Sequence, residues 1–267
     1  MTTNLLPWVD LATPFAMGTL LMMARIGAAT MWVPGMSPGR IPNRIRVASV
    51  AVFAVVMSIG LGGVAIPIPA KPITLGLLLG REVLVGVGIG FAVRLVVLGA
   101  EVAGSMAGIS MGLSLNVLVD PSTGDQSVSF GALLGISAML LFVAFGGHQT
   151  VIWTLFDHFQ HFPVGEASYL APDPEKLGAA FVKVVRTGMQ LAAPAIVVTM
   201  TLNISLAFIS RAVPSVNIFG VGIGMLMLTG WMSLAMEGEA VVRTTEEAMQ
   251  VLPQNMIDFG TQRTGAP

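Results

Sequence analysis

Charged side chains inside apolar stretches are the residues of this sequence whose type and position best suit them to chemistry. On insertion scales such a charge costs about 2.5–3.5 kcal/mol at the centre of a membrane helix, so it normally pairs with another group or faces water. The residues in this position are Arg25, Arg81, Glu82, Arg94, Glu101, Asp120, Asp125 and Arg211. Two interpretations stay open for them: ion pairs that fix how the helices align, and a polar path or inter-subunit contact.

The paired histidines His158 and His161 have a spacing that could place both on one metal ion. No HExxH pattern of a zinc protease accompanies them, and phenylalanines surround them at the end of an apolar stretch. Amphipathic rings are enriched at membrane–water interfaces. The pair therefore predicts an interfacial belt, and we expect no metal site.

The run Gly-Val-Gly-Ile-Gly occurs at residues 86–90 and again at 220–224. Closely spaced glycines bind dinucleotide phosphates only where they follow a strand inside a βαβ unit. Both runs lie inside apolar helical stretches, where small residues let helices approach closely. The runs therefore predict helix packing, and we expect neither a cofactor nor enzymatic activity.

The elements that position these residues must be membrane helices, because the composition excludes a soluble fold. Charged residues make up 10% of the chain and apolar residues 54%, with a mean hydropathy of +0.83, whereas soluble domains are about 25% charged. The net charge of −1 provides no basic surface, so nucleic acid is not an expected partner. With no cysteine, a disulfide framework or thiolate site is impossible. The predicted class is an all-α polytopic membrane protein.

Helices long enough to cross a bilayer need about 20 mostly apolar residues. About six such stretches are predicted, kinked or broken in places, at about 15–31, 47–66, 73–103, 128–145, 191–209 and 218–235. Residues 151–159 are a further candidate, and Pro194 is a predicted kink. We expect one integral membrane domain over residues 1–267, with a polar C-terminal tail at 236–267.

The segment 104–116 is unusually rich in glycine, serine and methionine. Gly104, Gly108 and Gly112 recur at every fourth position, a spacing that allows close packing if the segment is helical. Glycine also lowers the cost of leaving a helix, and methionines such as Met106 and Met111 are adaptable fillers. A small-residue helix interface and a movable gate both remain open.

In order and spacing, many short motifs resemble those of the FliR family of flagellar export-gate proteins and its relatives in virulence type III secretion systems. The matching segments are ARIG at 24–27, Pro34, the elbow at 42–46, EVAG at 101–104, MGL at 111–113, DP at 120–121, 142–148, 159–163, QLAAP at 190–194 and SRAVPSVNIF at 210–219. Two departures concern Ser215, where the family often has Gln, and residues 222–225, which lack the family's Pro and Lys.

The resemblance implies a structural and gating subunit of the flagellar type III export gate, through which unfolded flagellar proteins are secreted. Its implied partners are FliP-like and FliQ-like membrane subunits, FlhB-like and FlhA-like export components, the export substrates and the lipid bilayer. Its implied location is the bacterial inner membrane, in the flagellar basal body. The alternatives are a virulence type III subunit or, from another class, a small-solute transporter, which would predict matching broken helices in two halves.

The resemblance also implies which residues act, with no catalytic, cofactor-binding or metal-binding residue among them. The implied gate or plug residues are Gly104, Ser105, Met106, Gly108, Ile109, Met111, Gly112 and Asn116. The implied structural or inter-subunit residues are Arg25, Arg46, Glu101, Asp120, Pro121, Arg211, Pro214, Asn217 and Phe219.

Overall fold

The computed structural model describes residues 7–36, 41–112, 130–165, 169–170, 174–212, 218–260 and 262–263. The helices in these ranges are α1 (Pro7–Thr30), α2 (Asn43–Gly60), α3 (Pro72–Ser110), α4 (Phe130–Ala144), α5 (Gly147–His161), α6 (Pro174–Ala212), α7 (Ile218–Met236) and α8 (Gly238–Gly260). The strands β1 (Tyr169–Leu170) and β2 (Gln262–Arg263) pair antiparallel and have two residues each. The predicted helical class is confirmed.

Three helices in the described part of the chain are long and apolar enough to cross a membrane: α2, α3 and α6. The count rises to four if the consecutive helices α4 and α5 form one broken span. A polytopic helical protein is thus confirmed, and its described residues supply up to four crossings, fewer than the predicted count of about six. The stretch at 151–159 belongs to α5, which begins after Gly146 turns the chain with a φ of 73°.

The chain divides into two compact units. The first comprises Met1–Arg94, Gly146–Ala179 and Val251–Pro267, and the second comprises Leu95–Phe145 and Ala180–Gln250.

In the first unit, α3 crosses α1 at glycines. A Cβ on Gly86 would collide with the carbonyl oxygen of Arg25 and lie 2.9 Å from the Ala28 Cβ, and one on Gly90 would lie 3.0 Å from the Ala29 Cα. Packing by the first Gly-Val-Gly-Ile-Gly run is therefore confirmed. In the second run, an added Cβ on Gly224 would meet no other part of the described chain within 4 Å, whereas Gly222 is buried.

In the second unit, α3 crosses α4 in the same way. A Cβ on Gly104 would lie 2.6 Å from the Phe130 carbonyl oxygen, and one on Gly135 would lie 2.5 Å from the Glu101 Cγ. Gly131 has no more room, since its added Cβ would collide with the Ser105 hydroxyl. The two helices consequently touch backbone to backbone along this crossing.

The C-terminal segment predicted as a polar tail contains the 23-residue helix α8. Its buried residues are Val241, Thr245, Met249, Leu252 and Met256, which follow the three- and four-residue spacing of one helix face. In the second unit, Ala240 packs against a buried cluster of Ala103, Leu191 and Ala192. The tail is thus amphipathic and packed over most of its length.

Candidate functional site

Arg25 lies at the centre of a buried polar network in the first unit. Its Nε donates a 2.6 Å hydrogen bond to Glu82 Oε2, and the two side chains are 3% and 7% exposed. One Nη group donates to the Phe162 carbonyl oxygen at 2.8 Å and lies 3.2 Å from His158 Nδ1. The other Glu82 oxygen accepts the Gly165 backbone N–H at 3.0 Å. Charged groups of α1 and α3 therefore hold the end of α5 and the turn after it.

The hydrogen bond from Arg25 determines the tautomer of His158. A guanidinium has donors but no acceptor, so His158 Nδ1 must accept the bond and its Nε2 must carry the proton. That Nε2 is buried and has no hydrogen-bond partner among the described residues. The Arg25 guanidinium also lies over the Phe159 ring, 4.7 Å from its centroid, a cation–π contact.

These contacts correct one expectation and favour one of two open interpretations. His158 is 1% exposed, so the interpretation of this histidine as part of an interfacial belt is wrong. His161 is exposed and lies 3.5 Å from Asp157. Of the two interpretations offered for charged residues in apolar stretches, the ion pair describes Arg25 and Glu82, whose partners are within the chain. Arg81, Arg94 and Glu101 also have interaction partners.

The predicted gate segment is helical where the structure describes it. Residues 104–110 form the last turns of α3, Met111 and Gly112 form a turn with Gly112 at a φ of 76°, and Asn116 lies outside the described residues. Gly104, Gly108 and Met111 are buried, Ser105 and Ile109 are exposed, and Met106 is half-buried. The role of this segment as a plug stays a prediction.

Residues 108–112 spell Gly-x-Ser-x-Gly, a pattern that the sequence analysis missed. In α/β-hydrolases this pattern marks a nucleophile on a sharp turn between a strand and a helix. Here Ser110 ends a 39-residue helix and donates to the Ala107 carbonyl oxygen at 2.7 Å. A nucleophile of that kind needs a turn between a strand and a helix, whereas Ser110 lies at the end of a helix. We therefore interpret it as a helix-terminal residue.

Met111 and Phe130 meet in one buried cluster with Ala107 and Ala195. On α7, an added Cβ at Gly230 would lie 2.5 Å from the Met111 Cε and Cγ, and the Trp231 ring packs edge-on against Phe130 at 4.6 Å between centroids. We call Met111, Phe130, Gly230 and Trp231 the clasp. It joins the end of α3 and the start of α4 to α7.

The other predicted site residues are scattered. Arg46, near the start of α2, has a buried Nη1 with no hydrogen-bond partner among the described residues. Glu101 lies on α3 against Gly135, Arg211 is exposed in the last turn of α6, and Phe219 lies in the first turn of α7. The predicted residues outside the described part are Asn116, Asp120, Pro121, Pro214 and Asn217.

A cavity of about 410 Å³ lies in the first unit beside the Arg25 network, and its walls are mainly apolar. It is lined by Met22, Gly60, Leu61, Val64, Phe159, Gln160, Pro163 and Val164. Across the described residues, no group of three or more His, Asp or Glu side chains is arranged to hold a metal ion.

A buried ion pair, glycine-mediated helix crossings and long apolar helices are typical of a membrane scaffold, and the comparison with known families agrees. A sequence model of the bacterial export proteins, family 1, matches residues 16–252. The chain belongs to this family. Its flagellar relatives include the flagellar biosynthetic protein FliR of Caulobacter vibrioides, 29% identical over 84% of this chain and 90% of that protein. FliR of Escherichia coli strain K12 is 27% identical over 78% of this chain and 79% of its own length.

A virulence relative matches over a shorter stretch. The Yop proteins translocation protein T of Yersinia pestis is 29% identical over 55% of this chain and 57% of its own length. The two flagellar relatives each match over a larger share of this chain. The protein is therefore a membrane component of type III protein export, of the flagellar kind.

Proposed function

We propose that this chain is a structural and gating subunit of the flagellar export gate and forms part of the channel for unfolded flagellar proteins. Its family membership over residues 16–252 is the observation that carries the proposal. We place it in the bacterial inner membrane, with FliP-like and FliQ-like subunits around it and FlhB-like and FlhA-like components beside the gate. In this role it binds and orients other chains and catalyses no reaction.

The uneven burial of its apolar helices supports a role as one subunit among several. Of the most apolar 18 residues of each helix, 67% are buried in α3, but only 22% in α2 and 17% in α6. The chain therefore covers α3 with its own residues and leaves α2 and α6 to be covered by lipid or by other proteins.

The length of α6 favours other proteins over part of that surface. Its 39 residues make a helix about 58 Å long, whereas the hydrocarbon core of a bilayer is about 30 Å thick. Side chains exposed along its length include Phe181, Val182, Val197, Met200 and Phe208. Apolar residues outside the lipid core need a protein surface, as neighbouring gate subunits would provide.

The experiment is complementation combined with purification. A flagellated bacterium that lacks its own gate subunit of this family receives the present gene, and motility and secreted flagellar proteins are measured. Tagged protein from the same membranes is tested for copurification with FliP-like and FliQ-like subunits. Restored secretion and a stable complex are expected. A chain that purifies alone as a folded monomer and restores nothing would contradict the proposal.

A virulence-associated role is the second candidate, and the similarity to the Yersinia translocation protein supports it. The same assay separates the two roles, because a subunit for virulence secretion should restore effector secretion in a virulence strain while leaving a flagellar mutant non-motile.

A further inference from the structure

The clasp fastens the chain on both sides of residues 113–129. Met111 precedes them, Phe130 follows them, and the two side chains share one buried cluster. Met111 is fully buried and Phe130 is 4% exposed. The first residue after α3 and the first residue of α4 are therefore held together by apolar packing.

A second layer of contacts secures the same place. Gly230 leaves the space on α7 that the Met111 side chain fills, and Trp231 packs its ring against Phe130. One crossing further back, Gly104 lies against the Phe130 carbonyl oxygen and Gly131. Tightly packed contacts of this kind have one good arrangement and tolerate little displacement.

We infer that residues 104–111 form a fixed anchor of the gate and that the clasp stays closed while a substrate passes. The inference rests on the proposed function, and it assigns a different task to the first part of the predicted plug. Gly104, Ser105 and Ile109 belong to the scaffold that holds the seal. The left-handed turn at Gly112, with a φ of 76°, is where the anchor ends.

The test is a covalent lock, which this chain permits because it contains no cysteine. Met111→Cys and Gly230→Cys are introduced together, and the assembled complex in membranes is oxidised to link α3 to α7. Cross-linking is scored by the mobility of the chain after cleavage between the two helices. Export of flagellar proteins is then compared between oxidised and reduced cells, with each single-cysteine variant as the control.

Export that continues unchanged with the lock closed is the expected result. Export that stops on oxidation and returns on reduction would overturn the inference, since the clasp would then have to open. If the pair fails even when reduced, Phe130→Cys with Trp231→Cys is used and read in the same way. Failure of the parent chain to support export would overturn the proposed function and this inference with it, and that result is seen before any variant is made.

Two glycine substitutions on α7 test the anchor independently of the cross-link. Gly230→Ala drives a methyl group into Met111, whereas Gly224→Ala, on the same helix, points into open space. An anchor predicts that Gly230→Ala lowers the yield of assembled complex and that Gly224→Ala does not. Ion leakage through a Gly230→Ala complex assembled at normal yield would contradict the anchor, because the clasp would then be part of the moving seal.

Discussion

Removing only the charge of Arg25 should destabilise the protein more than removing both charges of the Arg25–Glu82 pair. The change is Arg25→Met, a side chain of similar length that leaves the Glu82 carboxylate buried without its cation. The Glu82 side chain is 7% exposed, and among the described residues its carboxylate keeps the hydrogen bond from the Gly165 N–H. Glu82→Gln is the matching change, because the amide oxygen can still accept from Gly165.

The expected magnitudes follow from the burial of the pair. Breaking a buried ion pair on one side costs about 3–5 kcal/mol, because an uncompensated charge remains. The double variant leaves no buried charge, although the Phe162 carbonyl oxygen and His158 Nδ1 lose their donor. Arg25→Met alone loses the same two bonds, so their cost of about 1–3 kcal/mol each does not distinguish the single variant from the double one. The loss of stability in the double variant should therefore be smaller than the sum of the losses in the two single variants, by at least about 2 kcal/mol.

The measurement is thermal unfolding of the purified complex in mild detergent. For a chain of this size, 1 kcal/mol corresponds to roughly 2–4 °C, so Arg25→Met should lower the midpoint by roughly 6–20 °C and adding Glu82→Gln should recover part of that loss. The control is the exposed pair of Arg243 and Glu247, which lie 3.8 Å apart on α8 and are 74% and 68% exposed. The corresponding changes, Arg243→Met and Glu247→Gln, should change the free energy of unfolding by less than about 1 kcal/mol, so the midpoint should barely move.

Additive effects of the two changes would refute this reasoning, because independent residues show no coupling. So would an Arg25→Met variant that is no less stable than the Arg243→Met control. Either result would mean that Glu82 is not the partner on which the burial of Arg25 depends.

Three further predictions concern packing and assembly. Gly86→Ala should destabilise the protein by about 1–3 kcal/mol, because its methyl group enters the α1 backbone. Gly80→Ala on the same helix meets no other part of the described chain and should stabilise the protein by about 0.5–1 kcal/mol. Thermal unfolding measures both changes in stability. Leu252→Ala, at a fully buried position of α8, should cost about 2–5 kcal/mol, and the neighbouring Val251→Ala, 43% exposed, should cost far less; equal losses would mean that α8 does not pack as described. The chain expressed alone should aggregate, because α2 and α6 leave most of their apolar residues uncovered, and coexpression with FliP-like and FliQ-like subunits should rescue it; a monodisperse monomer in gel filtration would count against this.

Local patterns were enough to predict several of these features. Arg25 and Glu82 stood out because each interrupts an apolar stretch, and the cost of such a charge depends only on the residue and its surroundings along the chain. Gly86 and Gly90 indicated close helix packing for a similar reason, since small residues in apolar helices have few other uses.

The helix α8 could have been predicted and was not. Val241, Thr245, Met249 and Leu252 stand at the spacing of one helix face, but the charged residues between them led to the interpretation of a polar tail. Periodicity, and not average polarity, identifies an amphipathic helix.

Composition and hydropathy determined by themselves that this is a helical membrane protein, because the transfer of each side chain out of water adds up along the chain. Only the tertiary structure decided that Arg25 pairs with Glu82, 57 positions away, and reaches Phe162, 137 positions away. It also decided that Met111 packs with Phe130, Gly230 and Trp231 in the clasp, at the end of a segment for which the sequence left both interface and gate open. Such pairings depend on where helices cross and how they are rotated. Hydropathy carries no information on either, because lipid and protein cover an apolar side chain equally well.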